Sequence, residues 1–277
     1  MHMLWLPYLF IVLLGSIIGS FLNVVIYRLH TGKSLGGRSH CMSCGETLLW
    51  YELLPVISYL FLRGRCNVCA SHIPRRYLAV ELLTAALFVV AWHTFAFDFV
   101  PLALTLILFS FFVVILVYDI RHTIIPDEMT VGVAVTATLL LLWQYWLTHD
   151  ISSLLWHFVA GVAAAFFFWA LWYYSKGRWL GLGDAKLALP LGALLGGTAA
   201  FSMIVFAFWI GAIIAVSILM FQRLVEKGKT HLHFAARPLT MKSEVPFAPF
   251  LLAGFLLVYS FHADVFFIIE RALALFF

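Results

Sequence analysis

The sequence predicts an all-α polytopic membrane protein, with about eight transmembrane helices and a cytoplasmic zinc-binding insert between the first and the second. Three observations lead there. Hydrophobic residues make up 64% of the 277 and charged residues only 11%, giving a mean hydropathy of +1.02. A soluble domain of this size has too little interior to hide so much apolar surface. Apolar runs recur at close to the roughly 20 residues that a helix needs to cross a hydrocarbon core about 30 Å thick. The basic residues fall almost entirely on alternate loops, which sets an orientation.

The spans are expected at about 4–27, 77–97, 100–118, 130–147, 153–174, 185–199, 201–221 and 247–263. The first lacks a basic leading segment and a small-residue cleavage site, so it reads as a retained anchor rather than a removed signal. The sixth is interrupted by glycines and Pro190. With these bounds one set of loops carries every lysine and arginine except Arg271, while the other holds only Asp98, Asp150 and, near the C-terminus, Asp264. Positive loops stay cytoplasmic, which puts both termini outside. The chain then divides into an anchor (1–27), a cytoplasmic insert (28–76) and a seven-helix block (77–277), with a second basic cytoplasmic loop at about 222–246. Two further apolar stretches are too short to cross. "LLWYELLPVISYLFL" contains Glu52 and Pro55, and "VFFIIERALALFF" contains Glu270 and Arg271; both read as interfacial segments.

All four cysteines lie in the insert, as Cys41, Cys44, Cys66 and Cys69: C-x2-C, 21 residues, C-x2-C. A two-residue gap lets both thiolates of a knuckle face one tetrahedral cation, and two knuckles complete its coordination. Placed in the cytosol, the thiols stay reduced, which disfavours disulfides. Four protein ligands leave no open position, so a zinc ion here is expected to brace the insert rather than do chemistry.

Few acidic residues fall at the cytoplasmic edge of the helical block. Asp119 ends the run "LILFSFFVVILVY" and Asp184 opens a helix in "GLGDAK". Ionisable groups at this depth are expensive and suggest function. Two carboxylates brought together can share one proton, the arrangement of the aspartic peptidases. The glycines flanking Leu182 are expected to let the backbone turn sharply and approach a bound peptide. A helix start favours a carboxylate and a helix end disfavours it, so the resting proton is expected on Asp119. Asp127 precedes a span and reads first as an N-cap, with substrate contact as the alternative. Glu81, one turn inside a span, either reaches back to the interface or serves a site. Lys186 is either a charge partner of the acids or a snorkelling side chain. Arg75 and Arg76 read first as headgroup anchors, and "HLH" at His231–His233 is too isolated to mark a metal site.

Beyond these single features, "GSFLNVVIYRL", the paired C-x2-C motifs, "LLPVISYLFLRGRC", "IPRRYLAVELLT", "DIRHTIIPD", "GLGDAK" and "PFAPFL" follow one another in an order that resembles the type IV prepilin peptidases of the GxGD aspartyl protease group. That resemblance implies a bifunctional enzyme of the bacterial inner membrane. It implies that Asp119 and Asp184 cut the basic leader from prepilins or pseudopilins, and that the new N-terminus is then methylated with S-adenosylmethionine. It associates Gly64 in "LRGRC" with methyl transfer, and Arg76 and Glu81 stand beside it as candidate cofactor-binding residues. No nucleic-acid partner is expected. The rival from a different class is a proton- or cation-coupled transporter using the same two acids. Transport acids more often lie at the midplane of repeated halves, and no internal repeat is found here. A zinc peptidase is disfavoured because the chain has no H-E-x-x-H.

Overall fold

A computed structural model describes residues 5–31, 34–227 and 246–274. Among these no strand forms; there are helices, loops and two isolated antiparallel bridges, His40–Thr47 and Arg65–His72. The helices are α1 (Trp5–Arg28), α2 (Ile57–Phe61), α3 (Arg76–Phe95), α4 (Phe99–His122), α5 (Asp127–Thr148), α6 (Ile151–Ser175), α7 (Leu182–Leu195), α8 (Gly197–Lys227), α9 (Ala248–Phe261) and α10 (Val265–Ala274). Six are long and apolar enough to cross a membrane: α1, α3, α4, α5, α6 and the part of α8 from Gly197 to Phe221. The pair α9 and α10 makes a seventh if taken as one span, although it is bent by 74°. The stretch between Leu48 and Leu62 is no span; it folds as a 3-10 turn at Trp50–Leu53 followed by α2.

The chain separates into two compact units, Met1–Tyr118 and Asp119–Phe277. In the first, α1 packs along α3. Lipid tails are as apolar as leucine, so helices in a bilayer gain by close backbone contact rather than by leaving water. Here Gly15 and Gly19 make that contact. A Cβ on Gly15 would lie 2.6 Å from Ala85 Cα, and one on Gly19 would lie 2.7 Å from Glu81 Cα. No larger residue fits either position.

The second unit is assembled around α7, which touches α5, α6, α8 and α9. Expected as a span at 185–199, this helix instead starts at Leu182 and ends at Leu195. Its 14 residues reach about 21 Å at 1.5 Å per residue, short of a hydrocarbon core. Gly196, at φ +76, terminates it, and Pro190 lies inside it. A short helix in lipid leaves backbone ends that must be covered by protein, and α7 is covered: Ala185, Leu187, Ala188, Leu191 and Ala193 are all buried. Glycines again set the approach. A Cβ on Gly161 of α6 would sit 2.6 Å from the Leu189 carbonyl oxygen, and one on Gly192 would sit 2.8 Å from Ala164 Cβ. Between α8 and α9, a Cβ on Gly254 would meet the Met203 carbonyl at 2.5 Å.

The helix ends in this unit are capped locally. Asp150 accepts the N–H groups of Ser152 and Ser153 at the start of α6. Asp264 Oδ1 accepts the Phe266 N–H (2.9 Å) at the start of α10 and the Ser202 hydroxyl (3.1 Å) from α8. Since Gly161 faces backbone that cannot move aside, Gly161→Val should destabilise the second unit by about 1–3 kcal/mol through overpacking. The effect is read as an earlier thermal unfolding midpoint in detergent. Val159→Leu on the exposed face of the same helix should leave that midpoint unchanged.

Candidate active site and metal centre

The two acids singled out in the sequence come together inside the second unit. Asp119, in the last turn of α4, is 4% exposed, and Asp184, in the first turn of α7, is 5% exposed. They lie close enough for the charge of Asp119 to act on Asp184. Each carboxylate accepts one backbone N–H. Asp184 Oδ2 takes that of Gly181 (3.1 Å), and Asp119 Oδ2 takes that of Ala248 (3.1 Å). Ala248 is the first residue of α9, so Asp119 ends one helix while its carboxylate faces the start of another. Asp119 thus meets the positive end of a helix as Asp184 does, alongside the negative end of its own.

The "PFAPFL" segment performs this service. Phe247 packs against Phe168 and Phe208, with ring centroids 5.6 and 5.2 Å apart, and this seats the beginning of α9. Ala248 itself is fully buried. Its role is carried by a backbone group, which no residue pattern announces; the flanking Pro246 and Pro249 were the available hint, since proline favours a helix start.

Several neighbouring expectations are corrected. Gly181 is in ordinary extended backbone (φ −77, ψ 153), and Gly183 lies within α7, so neither uses a left-handed turn. Gly183 instead lets Ile125 come close, since a Cβ there would sit 3.1 Å from Ile125 Cβ. Asp127 does not cap α5: Pro126 holds the cap position without a side-chain bond. Asp127 Oδ1 pairs with Lys186 Nζ at 2.7 Å, with the two side chains 70% and 47% exposed. Lys186 therefore ties the starts of α5 and α7 together at the surface. An exposed pair of this kind contributes little stability. His231–His233 and most of the 222–246 loop lie outside the described residues.

In the first unit, the four cysteine sulfurs all lie within 4.8 Å of one another, and Cys41 and Cys69 Sγ are 3.9 Å apart. A tetrahedron of bonds about 2.3 Å long spaces its sulfurs by about 3.8 Å, while a disulfide needs about 2.05 Å. The cluster thus fits a metal ion and not a pair of bridges. The two knuckles repeat each other. In each, the first cysteine's N–H bonds the carbonyl five residues on (Cys41 to Glu46, 2.8 Å; Cys66 to Ser71, 2.9 Å), and its carbonyl accepts from the residue four on (Gly45, 3.0 Å; Ala70, 3.0 Å). Gly45 and Ala70 both adopt positive φ. N–H groups of Cys44 and Ser43 hold the Cys41 thiol down to about 6. Cys69 is lowered as well, chiefly by the Ser71 hydroxyl, which lies 3.1 Å from Cys69 Sγ and 3.7 Å from Cys41 Sγ. Ser71 was not singled out in the sequence, where an isolated serine carries no signal.

A cavity of about 540 Å³ opens beside the cage, walled by α1, the insert and the start of α3. Of the three candidate cofactor residues, Glu81 lines it, and Gly64 and Arg76 do not. Glu81 is buried, and its Oε2 accepts the Val56 N–H at 2.8 Å, tying α3 to the start of α2. Gly64, at φ +67, lies under the Tyr59 ring; a Cβ there would sit 2.9 Å from the ring. Tyr59 lines the cavity, so Gly64 acts on it at one remove. Arg76 lies over the Tyr77 ring at 5.3 Å. Asn23, a polar residue inside the apolar run of α1, is also buried against the cavity and donates to the Tyr77 carbonyl (3.1 Å).

Comparison with known proteins divides the chain similarly. The bacterial peptidase A24 N-terminal domain matches residues 13–95, and the type IV leader peptidase family matches residues 106–216. A prepilin leader peptidase/N-methyltransferase of Myxococcus xanthus (strain DK1622) is 34% identical over 212 residues, covering 76% of this chain and 63% of that protein. One of Klebsiella pneumoniae is 34% identical over 208 residues, covering 70% of this chain and 86% of that protein. One of Aeromonas hydrophila is 29% identical over 285 residues, covering 91% and 90%. No solved structure matches. The cysteine cage and Glu81 fall in the first matched region, and both buried acids in the second; the chain belongs to the type IV leader peptidase family.

Proposed function

We propose that the chain removes the basic leader of prepilins or pseudopilins by aspartic peptidase chemistry at Asp119 and Asp184, and methylates the N-terminus so exposed. The observation that carries this reading is the convergence of two buried carboxylates from separate helices in the second unit. Among the described residues, neither has a cation for a partner. Asp119 bonds to the Ala248 N–H and Asp184 to the Gly181 N–H, which leaves oxygens on both for other contacts.

A pair holding one proton suits amide hydrolysis. The ionised carboxylate takes a proton from water as the water oxygen attacks the scissile carbonyl carbon. The protonated one gives its hydrogen to the carbonyl oxygen. The resulting gem-diol collapses as the C–N bond breaks, and the amine leaves with a proton from the pair. The Ala248 and Gly181 N–H groups fix the two carboxylates in place through these steps.

The substrate is a basic leader followed by an apolar helix, which places its junction where a membrane surface meets polar solvent. Basic residues concentrate on one set of loops, which supports a cytoplasmic location for the acid pair and the insert, with both termini outside. We assign the peptidase step to the helical block and methyl transfer to the first unit. Zinc, held by Cys41, Cys44, Cys66 and Cys69, braces the insert. S-adenosylmethionine supplies an electrophilic methyl group on a cationic sulfur. Of the residues proposed for that half, Glu81 faces the cavity, Gly64 seats Tyr59, and Arg76 covers Tyr77.

In reconstituted membranes with a prepilin-like peptide, Asp119→Asn and Asp184→Asn should each slow leader release by about 10²–10⁴-fold, while both variants still methylate a peptide supplied without its leader. Full cleavage by either variant contradicts the dyad, and acid-dependent ion flux without cleavage by the wild type favours the transporter. Purified protein should contain one zinc per chain, lost in Cys41→Ser/Cys44→Ser. Ser71→Ala should retain the ion with about tenfold weaker affinity, measured by chelator competition, as expected for a group beside the ligands.

A further inference from the structure

We infer that Asp127 is the subsite for a basic side chain of the leader, and that Lys186 fills it until substrate arrives, an assignment that rests on the peptidase reading above. The carboxylate already displays this chemistry within the chain, since Asp127 Oδ1 holds the Lys186 ammonium at 2.7 Å. The ion pair stands beside the buried acids. Lys186 follows Asp184 by two positions in α7, which puts their Cα atoms about 5 Å apart. The first turn carries Asp184 inward and Lys186 outward, so that one is buried and the other exposed. An extended peptide covers about 3.3 Å per residue. A basic residue a few positions before the cut therefore comes within reach of Asp127 while the scissile amide lies at the buried acids.

The other role open to this pair is a purely structural tie, and two observations count against it. Helices α5 and α7 are in contact beyond the pair, and Ile125 already seats the segment before α5 against Gly183. Both partners are also exposed, so the bond adds little to stability, and little is lost when another cation takes the place of Lys186. Lysine suits a partner that must let go. Its ammonium is a point charge on a flexible stem, without the fixed fork by which arginine grips a carboxylate.

The surroundings make this carboxylate matter to a basic peptide. Arg121, two residues after Asp119, and Lys176 and Arg178, just before α7, are all exposed, and each repels a cationic leader. Asp127 is an exposed acid at this end of the helices whose oxygen accepts an ammonium. The exchange puts one cation in the place of another and leaves the freed lysine in solvent, where its charge is screened.

The test uses the full chain in nanodiscs and two prepilin-like peptides that differ only in the leader, one with lysine and one with glutamine at its basic positions. The preference for the basic leader is the ratio of the two kcat/KM values. It should fall about three- to fivefold in Asp127→Asn, the range an exposed ion pair allows, and further in Asp127→Lys. In Lys186→Met, which removes the competitor, it should rise by about the same factor. Raising the salt concentration should shrink the wild-type preference. The opposite directions separate the two roles, because the loss of a tie acts alike on both variants and on both peptides. Asp127→Asn without a loss of preference, Lys186→Met without a gain, or a wild type with no preference overturns the assignment and leaves the peptidase reading standing. If the wild type cleaves neither peptide, that reading falls, and this inference with it.

Discussion

The second unit depends on one constraint: a helix too short to span a bilayer must be enclosed by protein. Helix α7 has 14 residues and is touched by α5, α6, α8 and α9. Its enclosure requires backbone-close packing, which is why Gly161 and Gly192 stand where no Cβ fits. The same enclosure carries the first turn of α7 into the interior, so Asp184 is buried, with no basic partner among the described residues. Once a carboxylate is held there, its hydrogen-bond needs fall to backbone donors. The start of α9 meets the corresponding need of Asp119 through the Ala248 N–H. Fold and candidate chemistry therefore rest on the same packing of small residues.

The first unit follows a different logic. Its helices α1 and α3 also meet through glycines, but the insert that follows α1 has few buried apolar residues, and Trp50, Phe61 and Val68 are exposed. A segment of this kind cannot hold itself by a hydrophobic core. Cross-linking by a cation is the available alternative, and the four sulfurs of two knuckles with matching hydrogen bonds are spaced to hold one. Glu81 and Asn23 then connect the insert and the start of α3 to the membrane helices through part-buried hydrogen bonds. The result is a cavity beside the cysteine cluster, walled by α1, the insert and the start of α3.

Much of this was legible in the sequence because the physics involved is local or compositional. Apolar length marked the spans, the C-x2-C spacing marked the cage, and isolation in apolar surroundings marked Asp119 and Asp184. The misreadings share a cause as well. The sixth span was placed by hydropathy alone, but hydropathy does not distinguish lipid from buried protein as the surroundings of a helix, and Gly196 ends α7 early. Asp127 looks like a cap in one dimension; in three it lies beside Lys186, 59 positions away. The expectation of a resting proton on Asp119 rests on the helices that carry each acid, and nothing in the residue pattern shows that the start of α9 also faces Asp119. Ala248 and Ser71 act through a backbone group and a single hydroxyl, neither of which leaves a pattern.

In the proposed reaction Asp119 and Asp184 act together on one scissile amide. An experimental structure of the chain in a bilayer mimetic, bound to a prepilin-like peptide whose scissile amide is replaced by a hydroxyethylene group, tests this most directly. The hydroxyl oxygen should lie within hydrogen-bond distance of both carboxylates, with the Ala248 and Gly181 N–H bonds intact. A peptide bound with its hydroxyl reaching only one acid, or seated away from both, contradicts it.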